Sequence, residues 1–283
     1  VTLTRVLTAL VMGPAVLAVV WWGPLWLLAG VVALVAALAM QEFFALGEKL
    51  ALRGYVLWSG LCAVLLAVVQ ASQASVDRFA VPGGLSMTRG SEHPFLTVEN
   101  LLLLFVTGLA LAVCANLRPL GEVLGAVATS AAALLLIALP LSYLIRLQGG
   151  PQGRVWVLFA LWLVWAGDSI AYFVGRALGR WPMAPAISPK KTWEGAAGNL
   201  GGSLIVAVIF ARWLDAPPTH LLAVAALANI AGQAGDLLES AYKRSAGVKD
   251  SGTILPGHGG VLDRIDALIF AAPVVWVYVA FCR

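Results

Sequence analysis

The sequence predicts an all-α, polytopic integral membrane protein, and three observations carry that prediction. Of 283 residues only 32, or 11%, are charged, against about 25% in a soluble domain. Hydrophobic residues make up 61% and the mean hydropathy is +0.91, more apolar surface than a single water-facing core hides. Nine apolar windows recur along the chain, each about the 20 residues that cross ~30 Å of hydrocarbon as a helix. Open strands cannot replace these helices, because a backbone N–H or C=O facing lipid must be satisfied within its own segment.

The first span runs from Leu3 to Trp22. Its apolar run follows Arg5, and Trp21, Trp22, Gly23 and Pro24 read as an interfacial aromatic turn rather than a small-residue cleavage site, so the segment is a span and not a removed signal. The second span, Leu25 to Phe44, follows at once, and the third covers Gly54 to Ala71. The polar stretch from about Ser72 to Thr97, with Pro82, Gly83, Gly84 and Gly90, reads as a surface loop. Spans four to nine then cover Val98 to Leu117, Glu122 to Ile145, Val155 to Gly175, Gly195 to Leu214, His220 to Ser240 and Ile265 to Cys282. Short connections make residues 1–283 one membrane domain, with N-terminal helices in 1–150 and the catalytic loops in 151–283.

Nine spans put the N-terminus on the same side as the connections after spans two, four, six and eight. That side holds 12 of the 18 Lys and Arg residues, so the positive-inside rule places it in the cytoplasm and the C-terminus outside, in a bacterial-type inner membrane. The net charge of +4 is too small and dispersed to argue for nucleic acid. Cys62, Cys114 and Cys282 each sit in apolar runs and read as core packing, with neither a disulfide framework nor a zinc site. No Walker A loop, HExxH motif or nucleophile elbow is present in the sequence.

Two stretches, Asp168 to Glu194 and Asp236 to Asp266, hold 15 of the 32 charges. A carboxylate near mid-bilayer costs roughly 2.5–3.5 kcal/mol on insertion scales, so Asp168 and Asp236 need a cation, a cavity or a partner. Each feature has a plainer reading alone: an interhelical ion pair for Asp168, a topology signal for Lys190 and Lys191, close helix packing for Gly195, Gly198, Gly201 and Gly202. Between Ser240 and Asp266, however, four cations and three carboxylates flank Pro256, Gly257, His258, Gly259 and Gly260. Such a backbone can take positive φ and turn several N–H groups toward one anion, which predicts a phosphate-binding nest. Asp263 and Asp266 stand three apart, on one face at the start of the last helix, and carboxylates with water and phosphate oxygens suit Mg²⁺.

The run from Ser240 to Asp266 resembles the signature of the phosphatidate cytidylyltransferases, the CDP-diacylglycerol synthases. Ser240, Lys243, Arg244, Lys249, Asp250, His258, Gly259, Gly260, Asp263, Arg264 and Asp266 fall at its positions. Tyr242 departs from it, standing where the pattern has an aliphatic residue or Phe. The segments around Asp168 and from Ser188 to Gly195 also look like that family, so the likeness covers the C-terminal half.

The resemblance implies CTP and phosphatidate as substrates, CDP-diacylglycerol and pyrophosphate as products, and membrane lipid as the surrounding partner. With the residue chemistry it assigns catalysis to Asp236, Lys249, Asp250 and Asp263. Substrate contacts fall to Ser188, Lys190, Lys191, Thr192, Glu194, Lys243, Arg244, His258, Gly259, Gly260 and Arg264, and metal ligation to Asp236, Asp263 and Asp266, with Asp168 as an additional site. Six site cations balance six site carboxylates, so Mg²⁺, as more than one metal ion and with room for a monovalent second cation, would supply the positive charge that two phosphate substrates require. A homodimer is compatible with this reading. Two other classes are a CTP-dependent lipid kinase, which would release CDP rather than pyrophosphate, and an ion-coupled transporter using Asp168 and Asp236.

Overall fold

The computed structural model describes residues 2–79, 97–115, 118–255, 257 and 259–282, with the side chains of 2–9 and 76–79 left out. Among the described residues the chain forms nine helices in the predicted order. They are α1 (Thr2–Trp22), α2 (Leu25–Lys49), α3 (Val56–Phe79), α4 (Val98–Cys114), α5 (Leu120–Gly149), α6 (Gly153–Leu178), α7 (Trp193–Phe210), α8 (Pro218–Ser245) and α9 (Leu262–Phe281). This is an all-α integral membrane fold. Helices α2, α3 and α5 to α9 are long and apolar enough to cross a membrane. The described apolar part of α1, Leu10–Trp22, and the 17-residue α4 are shorter; at 1.5 Å per residue α4 reaches only about 25 Å.

Helix boundaries follow local chemistry. Pro24, Pro119 and Pro217 precede α2, α5 and α8, where their missing N–H groups are not needed. Thr97 and Thr192 cap α4 and α7 by accepting from the N–H of Asn100 and Gly195, each at 3.2 Å. Several helices run further than the hydropathy windows: α2 continues five residues past Phe44 to Lys49, and α8 continues from Ser240 to Ser245. These extra turns carry Glu48 and Lys49, and Lys243 and Arg244, so a hydropathy window ends before the helix does. Inside α5 the segment Leu134–Ala138 widens to a π-helical turn just before Pro140, which has no N–H to donate.

One feature departs from the predicted all-helical pattern. In the α6–α7 connection, β1 (Pro182–Ala184) and β2 (Ser188–Thr192) pair antiparallel as a two-stranded hairpin. It lies between spanning helices rather than within one, so the backbone constraint imposed by lipid does not apply to it. Among the cysteines, Cys62 is buried as expected; Cys114 and Cys282 are exposed, because they stand at the ends of α4 and α9. The predicted loop residues Pro82, Gly83, Gly84 and Gly90 lie outside the described residues.

The C-terminal helices pair most extensively, α6 on α7 and α8 on α9, with α5 packed against α3 and α9. Small residues permit the α6–α7 contact. A Cβ at Gly198 would press on Val174, and one at Gly202 would approach Ala166 O at 3.0 Å; Gly201 faces open space. Buried Trp156 and Phe159 of α6 meet edge to face at 5.7 Å, and Trp156 also contacts Tyr278 of α9.

Candidate active site

Charge gathers at two places near the α6–α7 hairpin and the α8–α9 loop. The first is a cleft of about 280 Å³ between α6, α7, α8 and the hairpin, lined by Asp168, Tyr172, Lys190, Lys191, Asn199, Gln233 and Asp236 among others. Gly167 makes room for its interior, since a Cβ there would overlap the amide of Asn199. Asn199 Nδ2 donates to Asp168 Oδ1 at 3.1 Å, and Asn199 Oδ1 accepts from Asn229 Nδ2 at 2.5 Å. Asn229 Nδ2 also reaches Ser203 Oγ at 2.7 Å, and Asn229 Oδ1 accepts from Gln233 Nε2 at 2.6 Å. This ladder of amides runs from α6 across α7 to α8 and satisfies polar groups that lipid would leave unpaired. Sequence reasoning missed it, although Asn199, Asn229 and Gln233 are visible as isolated amides in apolar helices.

At the cleft wall Lys191 Nζ pairs with Asp236 Oδ2 at 2.5 Å, bridging β2 to α8. Lys190 is exposed at the rim and Ser188 is half-buried on β2. Asp168 lies within electrostatic reach of Asp236, Lys191 and Arg264, and Asp266 within that of Asp236. Five of the predicted site residues, Asp168, Lys190, Lys191, Thr192 and Asp236, therefore meet in one cavity.

Other predicted substrate contacts hold the hairpin together. Glu194 accepts from the N–H of Arg180 at 3.1 Å and of Trp181 at 3.3 Å, tying the hairpin's entry to the start of α7. Thr192 both caps α7 and lines the cleft. Arg244 Nε donates to Ile187 O at 3.1 Å, fastening the hairpin to the end of α8.

The second cluster surrounds the loop before α9. Lys243 Nζ pairs with Glu239 and, at 2.5 Å, with Asp263 Oδ1. Asp263 Oδ2 accepts from Ser251 N at 3.0 Å, Ser251 Oγ at 3.1 Å and Gly260 N at 2.8 Å. Glu42 on α2 enters the same cluster: it accepts from Ser251 Oγ at 2.8 Å and from Val261 N and Leu262 N at 2.9 Å each. Sequence reasoning passed over Glu42, whose partners are 209 to 220 positions away.

This arrangement takes up one N–H group of the expected phosphate nest. Gly257 and Gly259 do adopt positive φ, +77° and +84°. The N–H of Gly260 points at Asp263, and those of Val261 and Leu262, just past the nest, point at Glu42, so the protein's own carboxylates already meet these three donors. A Cβ at Gly260 would overlap Ser251 and Glu42. Lys249 and Asp250 sit exposed on the bend that leads into Ser251; His258 lies outside the described residues. Asp263 is not joined to Asp236 but committed to Lys243, Ser251 and Gly260. Among the described residues, no three His, Cys, Asp or Glu side chains converge closely enough to hold one metal ion.

A family model described as the cytidylyltransferase family matches residues 3–282. A phosphatidate cytidylyltransferase of Bacillus subtilis (strain 168) is 44% identical over 141 residues, 49% of this chain and 52% of the relative. One from Staphylococcus saprophyticus is 45% identical over 126 residues, 44% of this chain and 48% of the relative. One from Brucella abortus biovar 1 is 45% identical over 129 residues, 45% of this chain and 48% of the relative. The chain thus spans about half the length of the relatives it matches.

Proposed function

The chain belongs to the cytidylyltransferase family, and on that premise we propose that it transfers the cytidylyl group of CTP to phosphatidate, giving CDP-diacylglycerol and pyrophosphate. The observation that carries this reading is the cleft in which Lys190, Lys191, Asp168 and Asp236 meet between membrane-spanning helices. One substrate is a soluble triphosphate and the other a phosphomonoester of nearly two negative charges on a lipid, so a cavity that sets charged side chains among apolar helices suits the pair.

A phosphate oxygen of phosphatidate attacks the α-phosphorus of CTP. The new P–O bond forms as the bond to the bridging oxygen of the β-phosphate breaks, and pyrophosphate leaves with the electron pair. No protein nucleophile is needed, so alignment and charge neutralisation carry the rate. Lys190 and Lys191 lie on the strand beside the cavity and neutralise phosphate there, Lys191 exchanging its contact with Asp236 for one with substrate. The amide ladder from Asp168 to Gln233 fixes the carboxylate's orientation.

The donor chemistry fits Mg²⁺: Asp236 and Asp266 are carboxylates within electrostatic reach of each other, and a lysine ammonium already rests on Asp236. These two, with water and phosphate oxygens, would hold the ion, with Asp168 nearby and Asp263 available only if it left Lys243. When bound, Mg²⁺ supplies positive charge to the phosphates of both substrates. In the same reading the N-terminus and both charged loops face the cytoplasm, and the C-terminus faces outward.

The reaction is tested by incubating the purified protein with labelled CTP, phosphatidate and Mg²⁺. CDP-diacylglycerol and pyrophosphate in equal amounts support the reading, and release of CDP would replace it with lipid phosphorylation. For topology, a single cysteine at Thr253 should be shielded from an impermeant reagent in intact cells and one at Arg212 labelled, in a background without Cys62, Cys114 and Cys282.

A further inference from the structure

We infer that Glu42 is a positioning residue for the charged loop between α8 and α9: from the N-terminal half of the chain, its buried carboxylate sets the loop shape on which turnover depends. The inference rests on the proposed cytidylyl transfer, in which Asp266, carried by the helix this loop leads into, would help to hold Mg²⁺ beside the cleft. Glu42 is only 4% exposed, and an ionised group in an apolar helix is retained only where donors surround it. Its donors come from both ends of the loop. Ser251 Oγ lies at the entry, 2.8 Å from Oε2; Val261 N and Leu262 N lie at the exit, 2.9 Å from Oε1 and Oε2.

The glycines complete the fit. A Cβ at Gly252 or at Gly260 would overlap the Glu42 carboxylate, so the loop backbone is closed around this one side chain. Val261 and Leu262 also carry N–H groups that the first turn of α9 leaves without intrahelical partners, where negative charge is favourable. That turn bears Asp263 and Arg264, and Asp266 follows on the next. The link reaches α8 as well, because Ser251 Oγ stands between Glu42 and Asp263, and Asp263 pairs with Lys243.

Charge, and not shape alone, is required. The two oxygens of Glu42 accept from different backbone N–H groups, so a glutamine of the same size would turn its own NH₂ toward one of them. One end of the loop would then be released while the helices stay packed.

The experiment compares full-length wild type, Glu42→Gln, Ser251→Ala and the double variant in detergent, by hydrogen exchange of peptides covering 251–262 and by steady-state cytidylyl transfer. For Glu42→Gln we expect loop exchange at least ~10-fold faster with α6 and α7 unchanged. Turnover should fall at least ~30-fold, with the KM for CTP moving less than ~3-fold. Adding Ser251→Ala should change turnover less than ~2-fold further, since both act through one unit. If Glu42→Gln does not accumulate, Ser251→Ala alone should still loosen the loop selectively and lower turnover. Wild-type loop exchange in the variants, or faster exchange spread over all helices, would overturn the inference. Absence of cytidylyl transfer by the wild type would instead overturn the reaction, leaving the exchange data to decide the role of Glu42.

Discussion

In the cleft, Lys191 and Asp236 make one ion pair and keep 28% and 32% of their side-chain surface exposed, facing open volume. About two turns further along α8, Lys243 touches both Glu239 and Asp263, and the three side chains are only 12%, 4% and 6% exposed. The first cluster leaves capacity for a ligand. The second spends its capacity internally, on Ser251, Gly260 and the start of α9. Catalytic sensitivity and structural sensitivity should therefore separate along a single helix, although both clusters lie within the charge-rich stretches.

The largest expected effect is at Asp236. Asp236→Asn should lower turnover by at least roughly 10³, about 4 kcal/mol in the barrier, with thermal unfolding in detergent near that of wild type. Asp263→Asn should also lower turnover, but with a clear loss of stability, because Lys243 and three further donors lose the charge they share. Removing one partner from a buried pair costs about 3–5 kcal/mol. Equal unfolding temperatures for these two variants would erase the distinction between the clusters.

Chelation should come next. Removing divalent ions is expected to abolish turnover, with Mg²⁺ restoring it, while unfolding of the loop cluster stays unchanged because its charges are internally paired. A smaller effect is expected from Lys190→Ala with Lys191→Ala: roughly a 10-fold loss at subsaturating substrates, near 1.4 kcal/mol, without unfolding, as both side chains leave the packed helices undisturbed. Activity within about twofold of wild type would return the lysines to a topology signal. The smallest effect should be at Glu122, which is 44% exposed and pairs with Arg118 at 3.8 Å on one surface. Glu122→Gln should leave both activity and melting within error, as exposed pairs contribute about 0–1 kcal/mol.

The same contrast explains what was legible in the sequence. Seven helices could be found because an apolar run that crosses the membrane must match the hydrocarbon, and Asp168, Lys190, Lys191 and Asp236 could be found because charge is expensive in such a chain. The hairpin was hidden: Ser188, Pro189, Lys190 and Lys191 show no alternation, and two strands of three and five residues leave little pattern. Glu42 was hidden for another reason. A lone acid near the end of an apolar helix looks interfacial, and its partners are set by tertiary packing more than 200 positions away. Gly259 and Gly260, which composition alone assigns to phosphate, stand where the backbone closes on Asp263 and Glu42. Loop chemistry read from composition identifies donors without revealing which acceptor reaches them first.

The most direct measurement follows the phosphorus atoms of CTP. With phosphatidate and Mg²⁺, label at the α-phosphorus should enter the lipid fraction in step with pyrophosphate release, label at the γ-phosphorus should stay in the aqueous phase, and Asp236→Asn should abolish the transfer while remaining folded. Label from the γ-phosphorus in the lipid, or undiminished α-label transfer by Asp236→Asn, would contradict cytidylyl transfer in this cleft.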